Sequence, residues 1–200
     1  MADKTKRVWL IRHAKQISTE DSDDSWQISA KLAPEATKRI KEAANYFKWL
    51  GVCFKLFRHS SLVRAQQTCE FLREFMGSDA PIAVDKKLGP GEINEWNTKF
   101  NVWKKQNPGW KKVSWGPTEW AKLWPSLCEA EGERVLIAVE RIARKLKGGE
   151  NAAAISHNPL IRLAEGQATG MVSDPDLQHC QSICFTFRGE ELVGCEAHLF

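Results

Sequence analysis

Val8-Trp9-Leu10-Ile11-Arg12-His13 is a run of four apolar residues that stops abruptly at two polar ones. A short, unbroken apolar run suits a strand buried on both faces, as in the middle of a parallel sheet. Arg12 and His13 then stand at its carboxyl end, where open α/β sheets bind ligands. The form recurs downstream: Val52 to Phe57 is followed by His59-Ser60-Ser61, and Ala152 to Ser156 by His157-Asn158-Pro159. Helical patterns separate these runs. Pro34 opens one that repeats apolar residues at Ile40, Ala43, Ala44, Phe47 and Leu50 before Gly51 closes it. Leu62, Ala65, Cys69, Leu72 and Phe75 mark a second, and Leu160 to Ala168 another. Thr118 to Leu146 reads as helix in two pieces, broken near Pro125 or Gly132. Pro81 to Val84 adds a short strand, and Ile183 to Leu199 a pair of strands around Arg188-Gly189-Glu190-Glu191. Strands alternating with helices predict an α/β fold, a three-layer α/β/α sandwich with a mostly parallel central sheet.

The chain of 200 residues, 42% hydrophobic and 27% charged, fits a single domain over residues 1–200 and excludes a disordered chain. The formal charge of +4 comes without any block of five or six like charges, so neither a nucleic acid nor a membrane is expected as a partner. The apolar run before Arg12 is too short for a signal peptide or a membrane span, which predicts a cytoplasmic protein. The six cysteines lie in apolar stretches and are expected to be reduced; the spacing of Cys180, Cys184, Cys195 and His198 is not that of a zinc site. Residues at about 88–130 form an excursion with some helix but no sustained period. It holds Trp96, Trp103, Trp110, Trp115, Trp120 and Trp124, which form either a lid with a Lys-lined mouth or, the preferred reading, packing onto the core.

Arg12, His13, Arg64 and His157 make a basic cluster rich in donors, which suits a phosphoryl group. Arg64 falls in the first turn of the helix after Ser60-Ser61, where free backbone N–H groups and the helix dipole add anion attraction. With neither a Walker loop nor an acidic metal-binding cluster, side chains must neutralise the charge, so no metal and no cofactor are expected. His13 is the expected nucleophile. His157 and the two arginines would stabilise the equatorial oxygens, with Asn158 beside them in the substrate-binding set. A carboxylic acid must protonate the leaving oxygen; Glu92 and Glu95 are the candidates, Glu92 preferred. His59 and His179 are read as structural.

Leu10-Ile11-Arg12-His13-Ala14-Lys15, Arg64-Ala65-Gln66-Gln67-Thr68 and Ile155-Ser156-His157-Asn158-Pro159 resemble, in order and spacing, the three signatures of the histidine phosphatase superfamily, the phosphoglycerate-mutase-like fold. Leu32-Ala33-Pro34-Glu35-Ala36 resembles that family's Leu-Thr-x-x-Gly helix start, so the likeness covers most of the chain outside roughly residues 96–130. Arg-His-Ala-Lys and His-Asn-Pro are most similar to the small phosphohistidine phosphatase branch. The resemblance implies a phosphate pocket at Arg12, His13, Arg64 and His157, with His13 becoming phosphorylated. Ala14 and Ala36 stand where Gly is common, Ala33 replaces a capping Thr at a cost of about 1 kcal/mol, and Ser61-Leu62 lacks an intervening Pro. These departures touch backbone support more than the four phosphate-binding side chains. The expected activity is a metal-independent phosphatase acting on a phosphohistidine protein or a small phosphate monoester. The alternatives are a phosphomutase and a catalytically weak phospho-ligand binding or scaffold protein.

Overall fold

The computed structural model describes residues 4–17, 29–91, 93–107, 116–174 and 177–200. In chain order the elements are β1 (Lys6–Arg12), α1 (Ala36–Trp49), β2 (Phe54–His59), α2 (Val63–Met76), β3 (Ile82–Val84), a 3-10 turn (Lys86–Leu88), α3 (Ile93–Gln106), α4 (Pro117–Leu123), α5 (Pro125–Arg144), β4 (Asn151–Ser156), α6 (Leu160–Thr169), β5 (Ser182–Arg188) and β6 (Glu191–His198). The strands form one sheet in the order β3-β2-β4-β1-β5-β6. The first four positions pair in parallel, while β5 runs antiparallel to β1 and β6 antiparallel to β5. The sheet is therefore mostly parallel, as its buried apolar strands predict, with an antiparallel hairpin at one edge.

Period-2 alternation along β1 divides the core. Val8 and Leu10 join the cluster built with α5 and α6, whereas Trp9 and Ile11 join the one built with α1 and α2. In β4, Ala152 and Ala154 face the first cluster, and Ala153 and Ile155 the second. All six β4 residues are buried. Helices thus cover both faces of the sheet, and the fold is the expected α/β/α arrangement.

β2 begins at Phe54, two residues later than its apolar run, and extends through His59. The Val52 N–H donates to Phe47 O (2.9 Å), which keeps Val52 with the end of α1, while Gly51 turns the chain at φ +67°. The excursion contains more regular structure than its composition predicts, since α3 is a helix of 14 residues. Its helical period is carried by aromatics: Trp96, Phe100 and Trp103 lie at i, i+4 and i+7. Trp96 is fully buried, with ring centroids 5.1 Å from Trp120 and 6.0 Å from Trp124. These aromatics pack the excursion onto the α5 side of the core, while Trp110 and Trp115 lie outside the described residues. The break in the helical stretch after Thr118 falls at Trp124-Pro125, because Pro is well placed at the first position of a new helix.

Gly132, the other expected break, sits inside α5. A Cβ there would come within 2.7 Å of the Leu163 backbone oxygen in α6. A backbone oxygen in a packed helix cannot rotate away, so Gly132→Ala is expected to destabilise the fold by about 1–3 kcal/mol despite the better helix propensity of alanine. A thermal melt checks this, and an unchanged or raised Tm would refute the close approach. No helix among the described residues is long and apolar enough to cross a membrane, and all six cysteine thiols are free.

Candidate active site

The strand ends are tied together beyond their ladders. The His13 N–H donates to Ser156 O (2.9 Å) and the Ser60 N–H to Ile155 O (3.1 Å), so the carboxyl ends of β1, β2 and β4 are held side by side. Arg64 is the second residue of α2, which starts at this same edge. The Thr68 hydroxyl donates to Arg64 O (2.7 Å) and accepts the Ala14 N–H (3.0 Å), fastening the loop after β1 to α2.

The result is a tight cluster. Arg64 Nε–H donates to His13 Nε2 at 3.2 Å, and the His13 and His157 ring centroids are 4.9 Å apart. His13 Nδ1 lies 2.7 Å from Ala14 O. A carbonyl only accepts, so Nδ1 carries the proton and the Nε2 lone pair faces the Arg64 guanidinium. His157 Nε2 shares a 2.6 Å hydrogen bond with Ser60 Oγ, which also accepts the Leu62 N–H (3.3 Å). Arg12 Nη1 and Asn158 Nδ2 both donate to Leu177 O, the latter at 3.0 Å, so Asn158 braces the segment against which Arg12 lies. Of the expected residues, Arg12, His13, Arg64 and His157 are brought together. Glu92 lies outside the described residues. Glu95 is exposed on α3 and pairs with Lys99 (3.5 Å) rather than with the cluster.

Charge and burial act together here. Burial, then Arg64, holds the His13 ring well below the ordinary histidine value. His157 is lowered likewise by burial, then by His13, Arg64 and Arg12. Burial pushes Arg64 down to about 10, which leaves it charged at neutral pH. Two guanidinium groups beside two neutral imidazoles form a site that gains most from a multiply charged anion.

Three residues of this region are not marked by the sequence patterns. His179, read as structural, has its ring centroid 5.8 Å from that of His13. Burial, then Arg12, Lys15 and Arg39, lowers it to about 4. Glu131 and Arg134 of α5 are the others. The Glu131 carboxylate accepts the Gly91 N–H (3.0 and 3.1 Å) and pairs with Arg134 (2.5 Å), which donates in turn to Lys87 O (2.6 Å) and to Gly89 O. This clamp fixes the backbone immediately before Glu92. The one sequence signal for it was a Glu and an Arg three residues apart in a helix, a spacing that surface helices also carry.

Among curated proteins, none matches the chain. Several solved structures share its fold. A phosphoglycerate mutase from Bacillus anthracis str. Sterne superposes with a TM-score of 0.68 at 14% identity, covering 99% of this chain and 94% of the other. A mycobacterial glucosyl-3-phosphoglycerate phosphatase with VO3 gives 0.67 at 16% identity, over 97% and 98% of the two chains. The protein histidine phosphatase SixA, complexed with tungstate, gives 0.56 at 15% identity, over 96% of each. A sequence profile of the histidine phosphatase superfamily (branch 1) matches residues 8–191, from the run that precedes Arg12-His13 to the start of the last strand, and the chain belongs to that superfamily.

Proposed function

We propose that this protein is a phosphatase that transfers a phosphoryl group from its substrate to His13 Nε2 and then to water, without a metal ion. The observation that carries it is the fixed tautomer of His13: its proton is held on Nδ1 by Ala14 O, and Nε2 presents its lone pair within the arginine cluster. Arg64 releases that lone pair when its guanidinium turns to the oxygens of an arriving phosphoryl group, to which Arg12 and His157 also donate. Nε2 attacks phosphorus as the bond to the leaving oxygen breaks, and that oxygen takes a proton from a carboxylic acid, for which Glu92 is the candidate. Water then attacks the phosphohistidine, returns its proton to the carboxylate, and the P–N bond breaks to release phosphate. The two guanidinium charges repel a cation, so the site itself favours charge neutralisation by side chains. Two structural neighbours, one complexed with VO3 and one with tungstate, support an oxyanion pocket in this fold.

The test is release of phosphate from an aryl phosphate in the presence of a chelator, with the reaction quenched in base to preserve phosphohistidine. The expected result is turnover unaffected by chelator and a base-stable, acid-labile phosphoenzyme on His13. Turnover lost to the chelator, or turnover with no phosphoenzyme under single-turnover conditions, would overturn the mechanism.

A further inference from the structure

Beside the phosphate cluster lies a cleft of about 460 Å³, within the size range of small-molecule sites. Arg12 lines both, so a substrate whose phosphoryl group sits against His13 extends into this cleft with its remaining half. Ala36 and Leu177 supply apolar lining, and His179 lines the cleft with its ring centroid 5.8 Å from that of His13. Resting on the phosphatase reading above, we propose that the cleft receives the leaving group of a small phosphomonoester, and that this group is uncharged and hydroxyl-bearing, with His179 as its hydrogen-bonding contact.

The cations of the walls are already matched by carboxylates or committed to the phosphoryl group, which favours an uncharged group over a second anion. Among the described residues that line the cleft, the charged ones are Arg12, Lys15, Glu35 and Arg39. Lys15 is already paired with Glu35 at 2.8 Å. Arg39 is engaged with Glu42 (3.1 Å), His179 O (3.2 Å) and Phe200 O. Arg12 belongs to the phosphoryl group. A carboxylate or second phosphate on the leaving group would have to displace Glu35 from Lys15 and would meet that carboxylate at close range. A hydroxyl faces no such conflict. A neutral imidazole offers one N–H donor and one acceptor nitrogen, the pair a hydroxyl requires, and His179 is neutral at pH 7.

The placement of His179 is fixed by several contacts. Arg39 holds its carbonyl, the Gln181 N–H closes the turn onto Gln178 O (3.1 Å), and the Cys180 N–H donates to Arg12 O (3.0 Å). Cys180 adopts φ +67°, a left-handed conformation that a side chain rarely takes unless its surroundings impose it. This turn holds the ring of the preceding residue, His179, with its centroid 5.8 Å from that of His13, and the phosphate site gains a third imidazole.

The experiment compares glycerol 3-phosphate with 3-phosphoglycerate, which differ in a hydroxymethyl against a carboxylate, by the ratio of their kcat/KM values on the full chain. A ratio is unaffected by any change in the folded fraction. The wild type is expected to favour glycerol 3-phosphate by about tenfold or more. His179→Ala is expected to cut the ratio about tenfold by removing the partner of the terminal hydroxyl that glycerol 3-phosphate alone carries, with His179→Asn restoring part of it. Glu35→Gln, which leaves Lys15 unmatched, is expected to move the ratio toward 3-phosphoglycerate by about tenfold. An aryl phosphate run alongside separates the two levels of the inference. No aryl turnover would overturn the phosphatase reading and the cleft assignment with it. Aryl turnover with 3-phosphoglycerate preferred, with neither alkyl ester accepted, or with a ratio that neither His179→Ala nor Glu35→Gln moves, would overturn the cleft assignment alone.

Discussion

Replacing His13 with asparagine is expected to lower kcat for an aryl phosphate by a factor on the order of 10⁴ or more, because removal of a covalent nucleophile eliminates the intermediate rather than weakening it. Asparagine is polar, shorter than histidine and able to donate to Ala14 O as the ring does. It does not add volume in a site where His13 is 7% exposed. The variant is therefore expected to fold, and its circular dichroism and Tm at neutral pH should match the wild type closely. Arg12, Arg64 and His157 remain, so binding of inorganic phosphate, measured by calorimetry, should survive within about an order of magnitude. Loss of turnover with binding retained identifies a group that acts on the reacting phosphorus. Turnover above a few per cent of wild type in a folded His13→Asn protein would remove His13 from the mechanism.

Some parts of this site could be read from the chain because they depend on local rules. Four apolar residues ending in Arg12-His13 announce a buried strand and a polar end, and a parallel sheet dictates that such ends gather on one edge. His157 and Arg64 follow from the same logic. What could not be read depends on contacts between distant segments or on backbone conformation. His179 lies next to a residue at positive φ that is not glycine, so no residue type announces the turn. Its neighbour Arg39 is 140 positions away in sequence. Glu131 reaches Gly91 across 40 residues. Some helix was expected in the excursion, but the 14-residue extent of α3 went unread because its period rests on three aromatics among Lys and Asn, where apolar counting finds little. The start of β2 moved because a local bond at the end of α1, Val52 N–H to Phe47 O, claimed that residue for the neighbouring element.

Arg64→Met is expected to act in two ways that can be measured separately. Arg64 is 2% exposed and touches His13 Nε2, so its loss removes a buried guanidinium from the phosphoryl oxygens and should cost about 10²–10³ in kcat/KM. Met keeps most of the volume of the stem, so the packing of α2 on the loop after β1 is largely preserved. The second effect is on proton linkage. In the wild type His13 and His157 are held well below 6.5 in the folded protein, first by burial, with Arg64 next for His13 and third for His157. Below pH 6.5 the unfolded chain therefore binds more protons than the folded one, and stability falls as pH drops until the folded values are reached. For each fully buried neutral histidine that loss approaches about 1.4 kcal/mol per pH unit. Removing the Arg64 charge raises both folded values toward 6.5 while burial still holds them below it, so the fall in the variant's stability on acidification levels off at a higher pH than in the wild type. Its difference in Tm between pH 7 and that acid plateau should be smaller than that of the wild type, and the acid limb of its residual kcat/KM should move to higher pH. A variant that loses activity as expected yet keeps the wild-type Tm difference and acid limb would show that Arg64 binds phosphate without setting the protonation of the histidines beside it.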